Sequence, residues 1–416
     1  MSARPPGPEG GARPTIHVFV NPRARRNTPY GPSQAEVVNS HAFAEARAEI
    51  TSWPGYAPTP LLALDGLAAR AGIARLWCKY EGDRFGLGSF KALGGAYAVL
   101  NLLAQEIKAR TGREEITTGD LASGAYRELT ERVTVTCATD GNHGRAVAWG
   151  AKTFGCRCVI YLHEHVSRGR EAAIARLGAE IVRVPGDYDD SVRRCAADAE
   201  RLGRYVISDT SYPGYMTVPR QVMQGYTVLA EEVLDQLGQG ERPTHLFVQA
   251  GVGGLAAAVC GHLWERLGPA RARFVIVEPE KADCLYQTAV NGRPTVVPGP
   301  HDTLMACLAA GEVSALAWRI LESGADAFVT IPDEPAAEAM RMLAEGTGGD
   351  PPIVAGETGV AGLAALMTAL EHDGARHALE LGPSSRVLVI LSEGATDPEI
   401  YQRIVGRAPE DVARRA

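Results

Sequence analysis

Residues 244–259, THLFVQAGVGGLAAAV, read as a strand that runs into a glycine loop and then a helix. The strand portion is almost continuously apolar, and the alanines beyond the loop have the highest helix propensity. A strand without apolar–polar alternation is buried on both faces, as in parallel sheets covered by helices. Similar runs recur from about residue 130 onward: VTVTCAT (133–139), CRCVIYL (156–162), EIVRV (180–184), RYVISD (204–209), RFVIVEP (273–279), AFVTIP (327–332) and RVLVILS (386–392). Between them lie stretches with helical periodicity, such as SRGREAAIARLGA and DDSVRRCAADAERLG. This alternation predicts a doubly wound, mostly parallel α/β protein. Ligands of such folds sit beyond the carboxyl ends of strands, where loops meet helix N-termini.

A chain of 416 residues is long for one core and predicts two or more lobes. Its net charge of −7 argues against a nucleic-acid partner, which calls for a basic stripe. The local RARR cluster at 23–26 reads as solvated surface. The eight cysteines form no C-x-x-C pair, and several lie in apolar runs, so they read as reduced core thiols and not as metal ligands or disulfides. No run approaches the roughly 18 apolar residues of a membrane helix. The first stretch, MSARPPGPEGGARP, lacks the apolar core of a signal peptide and reads as a disordered arm over 1–14. The last, APEDVARRA, reads as a second loose terminus. A cytoplasmic location follows as the expectation, with no membrane partner.

Three loops directly follow strands: ATDGNHGRA (138–146), QAGVGGLAAA (249–258) and LSEGATD (391–397). The glycine loop suits a phosphate, because exposed backbone N–H groups and the positive end of a helix converge there. Gly251, Gly253 and Ala256 satisfy G-x-G-x-x-[GA], and Glu278 ends the next strand near the spacing of a ribose-binding acid, which is a dinucleotide fingerprint. A monophosphate such as that of pyridoxal phosphate fits the loop as well, and so does a tight structural turn. Asn142 is a candidate donor to an oxyanion and Asp140 a candidate acid or base, although both residue types also cap helices. His143 has no second ligand at metal-binding spacing. Ser392 offers one hydroxyl, to a ring nitrogen or to a helix end.

A fourth loop, RFGLGSFKALGGAY (84–97), holds a rare residue. Of the 42 lysines and arginines only five are lysine, at 79, 91, 108, 152 and 281. Arginine does not form imines, whereas lysine does. Lys91, between a glycine-rich turn and a helix, is therefore a candidate for amine chemistry.

Taken together, an amine in SFK, an asparagine in GNHG, a glycine phosphate loop and a terminal serine loop resemble the pyridoxal-phosphate enzymes of the tryptophan-synthase β-type fold, or fold type II. Within these the chain most resembles the diaminopropionate ammonia-lyase family. The matching stretches run in order from YAPTPLLALDGLAARAG near residue 56 to SEGATD at 392–397, through GDYDDSVR, SDTSYPGY, QGYTVLAEE, VEPEKADC, ACLAAGE and AGETGVAGL. The resemblance implies two mostly parallel sheet domains with the cofactor between them: 15–91 plus 213–416 as the larger, cofactor-binding domain, and 92–212 as the smaller. It also implies a homodimer.

The roles implied are as follows. Lys91 holds pyridoxal 5'-phosphate through an imine, and Phe90 adjoins it. Asn142 bonds the cofactor's phenolic oxygen, and Gly251, Val252, Gly253, Gly254 and Leu255 cradle its phosphate. Ser392 meets the pyridine nitrogen, which a hydroxyl leaves neutral. Asp140 faces Lys91 across the cofactor, and Asp209 lies on the substrate side. The expected reaction is α,β-elimination of 2,3-diaminopropionate to pyruvate and ammonia. Two departures bear on the substrate: Gly88 and Ser89 replace the family's Asn-Ala, and Tyr212-Pro213 replaces its Trp-Glu. They keep open an eliminase or β-replacement enzyme for serine, threonine or an activated serine, and a cofactor-binding protein without catalysis. A nicotinamide-dependent dehydrogenase remains only if Lys91 is incidental.

Overall fold

The computed structural model describes residues 14–238 and 240–415. The expected arm over 1–14 lies outside these residues except for Pro14, whose carbonyl accepts a bond from His372. Eleven strands form: β1 (His17–Val20), β2 (Leu61–Ala63), β3 (Arg75–Tyr80), β4 (Thr134–Ala138), β5 (Arg157–His163), β6 (Glu180–Val184), β7 (Tyr205–Val206), β8 (His245–Gln249), β9 (Arg273–Pro279), β10 (Ala327–Ile331) and β11 (Arg386–Leu391). Every strand expected from the apolar runs is present. Those before residue 130 had gone unread.

One sheet has seven strands in the order β1-β10-β9-β8-β11-β3-β2, and the other four in the order β6-β5-β4-β7. The small sheet is parallel throughout. In the large sheet only the two edge strands, β1 and β2, run antiparallel to their neighbours. The interior strands are buried on both faces; in β8, Leu246, Phe247 and Val248 are wholly buried. This accounts for the missing alternation in their sequences. The expected loose end is instead a short helix at Pro409–Ala413, because Val412 is fully buried in the same hydrophobic cluster as Tyr401 and Leu343.

Topology places the four loops. Those after β3, β8 and β11 leave the carboxyl ends of three adjacent strands of the large sheet, and the fourth leaves β4 of the small one. Each loop feeds a helix or a turn at the same end, as the rule for open α/β sheets requires.

Four helices hold the loops together: α1 (Ala92–Thr111), α2 (Asn142–Phe154), α3 (Thr217–Gln236) and α4 (Gly254–Leu267). Helix α1 begins at Lys91 and is buried over most of its length between α2 and α3. Small residues make that possible. A Cβ on Gly150 of α2 would stand 2.8 Å from the Ala96 Cα, and one on Gly225 of α3 would stand 1.9 Å from the Leu93 carbonyl oxygen. The backbones cross too closely for any side chain there. Gly225→Ala is therefore expected to destabilise the protein by at least the ~1–3 kcal/mol typical of overpacking, and to lower its melting temperature. Gly374→Ala, with nothing within 4 Å of its Cβ, should be neutral or stabilising. Thermal melts of the two variants beside the parent chain check the pair.

Candidate active site

The loop that presents Lys91 is anchored by a buried charge cluster. Arg84 is 1% exposed and wedged between two carboxylates. Its Nε and Nη2 donate to Glu81 at 2.9 Å each, and its Nη1 and Nη2 donate to Glu232 at 2.7 Å. Lys79 donates to Glu232 and to the Thr59 carbonyl, both at 2.6 Å. Two cations and two anions thus balance, and their remaining donors meet Thr59 and Ala57. From this knot the chain turns at Phe85, whose ring stacks on Trp149 at 4.8 Å, and at Gly88 with φ 80°. It then pins to the β11 loop: the Phe90 N–H donates to the Ser392 carbonyl at 3.2 Å, and the Gly394 N–H to that of Gly88 at 2.9 Å.

Lys91 emerges from this frame at the start of α1. Its Nζ lies 2.5 Å from Asp209 Oδ2, 5.4 Å from the centre of the Phe90 ring and 6.0 Å from that of Tyr226. Burial alone would lower the lysine, but the Asp209 charge, Tyr226 and the hydrogen bond outweigh it and hold Lys91 above the ordinary range. Burial likewise pushes Asp209 up, and Lys91 with His143 overcomes it, so the carboxyl stays well below the usual value. His143 donates through Nε2 to the Ile207 carbonyl at 2.8 Å and turns Nδ1 toward Asp209 at 3.9 Å. Burial, with Lys91 nearby, keeps its pKa below the usual histidine value against the pull of Asp209.

The other residues that the sequence singles out lie in the loops that follow β4, β8 and β11. Gly141 stands at the N-cap of α2, and Thr139, two residues earlier, accepts through Oγ1 from the N–H groups of Gly141 and Gly144 at 3.0 and 3.1 Å. The side chains of Asp140 and Asn142 are thereby free for other work. Asn142 donates to Glu393, and Cys307 Sγ is 3.5 Å from the same amide nitrogen. Asp140 accepts from His163 Nε2 at 2.8 Å. Ser392 accepts from Gln249 Nε2 at 2.7 Å. In the glycine loop Gly253 has φ 97°, and a Cβ on Gly251 would lie 3.3 Å from the Cys307 carbonyl oxygen. Among the described residues, the N–H groups of Val252, Gly253, Gly254 and Leu255 have no acceptor. A Cβ on Gly254 would lie 3.8 Å from the Asp209 carbonyl oxygen, which sets the loop beside the lysine pair.

These features suit pyridoxal phosphate. Four unpartnered N–H groups at the start of α4 form an anion cradle. Ser392, already accepting from Gln249, has its own proton to give to a neutral ring nitrogen. The Asn142 amide gives one hydrogen to Glu393 and turns the other toward Cys307 Sγ at 3.5 Å, a weak acceptor that a phenolic oxygen would outcompete. The dinucleotide reading fails at Glu278, which is wholly buried and accepts from the Leu285 and Tyr286 N–H groups at 2.8 and 2.7 Å. It caps the next helix and cannot meet a ribose.

Glu393, Gln249, His163 and Cys307 were not anticipated. Glu393 directly follows Ser392, but its partner Asn142 is 251 positions away, a pairing no local pattern reveals.

Comparison with known proteins agrees with this geometry. A family model described as pyridoxal-phosphate dependent enzyme matches residues 52–393. Fold and site thus define a fold type II pyridoxal-phosphate enzyme. Diaminopropionate ammonia-lyase from Escherichia coli K12 is 40% identical over 363 residues, covering 86% of this chain and 90% of that one. The crystal structure of the holo form of the Escherichia coli lyase superposes with a TM-score of 0.86 at 36% identity, over 95% of this chain and 97% of that one. The same lyase in complex with an aminoacrylate–pyridoxal-phosphate azomethine intermediate gives 0.81 at 37% identity, over 94% and 97%. The chain belongs to the diaminopropionate ammonia-lyase family.

The Lys91–Asp209 pair can be tested in the cofactor-free protein. Asp209→Asn removes the charge that outweighs burial, so Lys91 should titrate below the ordinary lysine value of about 10.4 instead of above it. Site-resolved reductive methylation across a pH series reads this directly. An unchanged midpoint would contradict the assignment.

Proposed function

We propose that the chain catalyses α,β-elimination of 2,3-diaminopropionate to pyruvate and ammonia, with pyridoxal phosphate held on Lys91. One observation carries the choice of substrate: Asp209 is an ionised carboxylate whose partner, 2.5 Å away, is the Lys91 ammonium. Once Lys91 is engaged with the cofactor its ammonium no longer pairs with Asp209, and a half-buried carboxylate is left without a close cation, which is costly. A substrate with a β-ammonium restores the pairing, whereas the hydroxyl of serine does not. Held as an ammonium by Asp209, the β-amine also carries the proton with which it must leave as ammonia.

When bound, the cofactor supplies an electron sink for the Cα carbanion. The chain supplies the rest. Lys91 anchors one face and takes the Cα proton of the L-enantiomer. Asp140 takes that of the D-enantiomer from the other face. Asn142, fixed by Glu393, and Ser392, fixed by Gln249, orient the ring, and Phe90 adjoins it. The loop from Gly251 to Leu255 binds the phosphate. We take 15–91 with 213–416 as the cofactor-binding domain and 92–212 as the smaller domain, since the small sheet lies wholly within the latter span. The same reading includes a cytoplasmic homodimer, which an elution mass would check; no described helix is long and apolar enough to cross a membrane.

The altered segments weigh less than Asp209. Tyr212 is 55% exposed and stacks on Tyr215, outside the lysine pocket. Gly88 leads to a second reading, however. A Cβ there would lie 3.1 Å from Arg145 Nη1, and Arg145 makes no ion pair among the described residues. A guanidinium with no such pair, bonded through Nη1 to the Leu87 carbonyl at 2.8 Å and lying beside a residue without a side chain, favours a β-substituent with anionic or ester oxygens.

Initial-rate kinetics decide between these. kcat/KM should be higher for diaminopropionate than for serine, threonine or O-acetylserine. Asp209→Asn should lower it for diaminopropionate by about 10–100-fold, the value of a hydrogen bond to a charged group, and leave serine nearly unchanged. Faster turnover of any of the other three by the parent chain would overturn the assignment. Separately, Asp140→Asn should cost about 10²–10⁴-fold on the D-enantiomer and less on the L. Equal losses would show that Asp140 is not a base for one face.

A further inference from the structure

Asp140 and His163 are brought together by strand register. Ala138 of β4 pairs with Tyr161 of β5 in a parallel ladder. Two residues further along each chain stand Asp140 and His163, with His163 Nε2 2.8 Å from Asp140 Oδ1. A carboxylate oxygen accepts, so His163 donates through Nε2. The second ring nitrogen, Nδ1, is buried with no hydrogen-bond partner among the described residues. A ring bonded at one nitrogen and dry at the other has no onward acceptor, so it orients its partner and does not relay protons. Asp140 Oδ2 makes no hydrogen bond to a described residue. The main chain at Asp140 is held separately, its carbonyl accepting from Arg170 Nη1 at 3.3 Å. The torsions of the Asp140 side chain are the freedom that remains, and His163 removes it.

We propose that His163 is a positioning residue for Asp140, tying Oδ1 so that Oδ2 is aimed at the Cα proton of the D-enantiomer. The proposal rests on the role given to Asp140 above. His163 makes no bond to Lys91, Asp209, Asn142 or Ser392, so its influence is confined to one face of the cofactor. It sets how broadly the enzyme accepts the two enantiomers, and leaves the leaving group alone.

The test uses the holoenzyme with D- and L-diaminopropionate, reading kcat and KM separately together with the Cα-deuterium isotope effect. His163→Phe removes the donor. Misplacing a catalytic group by about 1 Å costs on the order of 10²-fold, so kcat on the D-enantiomer should fall by about 10–100-fold with a larger isotope effect. KM, and both constants for the L-enantiomer, should stay within about twofold. His163→Gln, whose amide can donate to Oδ1, should recover most of the loss. If His163→Phe does not fold, His163→Asn, too short to reach Oδ1, carries the same expectation. Equal losses on both enantiomers, or no rescue by His163→Gln, would overturn the proposal while a D-selective Asp140→Asn variant left the role of Asp140 standing. An Asp140→Asn variant that loses both equally would overturn the two together.

Discussion

Arg84 lies almost without solvent between Glu81 and Glu232, and Lys79 meets the same Glu232 oxygen as Arg84 Nη2. Taking four charges out of water costs several kcal/mol per ion, and only near-complete pairing offsets it. Here the pairing spans three parts of the fold: the end of β3, the loop toward Lys91, and α3. Any shift of that loop would leave a buried charge without a partner. The cluster thus makes the start of the Lys91 loop the most sharply determined stretch near the site, although none of its members touches the reacting groups. A second constraint follows in sequence. Gly94 and Gly225 allow α1 and α3 to cross at backbone distance, so the helix that begins at Lys91 cannot rotate without a clash.

Asp209 gives this rigid frame its chemical direction. In the free protein it is an anion because Lys91 is a cation, and each stabilises the charge of the other against burial. The arrangement is one of exchange. The site sets one ammonium opposite one carboxylate, and in the function proposed above a substrate ammonium takes the place of the protein's. A pocket of this kind selects by charge more than by shape, and tolerates the altered Gly88 and Pro213 positions because neither contributes to the pair.

Much of this was legible in the sequence, for physical reasons that differ by element. The continuously apolar strands from β4 onward announced themselves because both their faces are buried. Lys91 stood out because the chain uses arginine for nearly all its other cations. β3 was obscured by Lys79 in a wholly buried position, which breaks the apolar pattern for the sake of the ion cluster. β1 and β2 are short antiparallel edges with weak signals of their own. In the site, Asn142 and Ser392 stand in loops that the sequence singles out, while their hydrogen-bond partners Glu393 and Gln249 depend on strands far apart in sequence. His163 was hidden for the same reason: it meets Asp140 through the register of two parallel strands. Asp140 and Asn142 look like helix caps in sequence, but in the fold it is Thr139 that accepts the first-turn N–H of Gly144.

The central claim is that Lys91 alone carries the cofactor. Of the other lysines, Lys79 is locked in the ion cluster, and Lys108, Lys152 and Lys281 are exposed on the surface. The most direct measurement is borohydride reduction of the protein with pyridoxal phosphate, followed by peptide mapping of the fixed label. The account predicts stoichiometric label on the peptide containing Lys91 and on no other. Label on any of the remaining four lysines in its place, or no label at all, would contradict it.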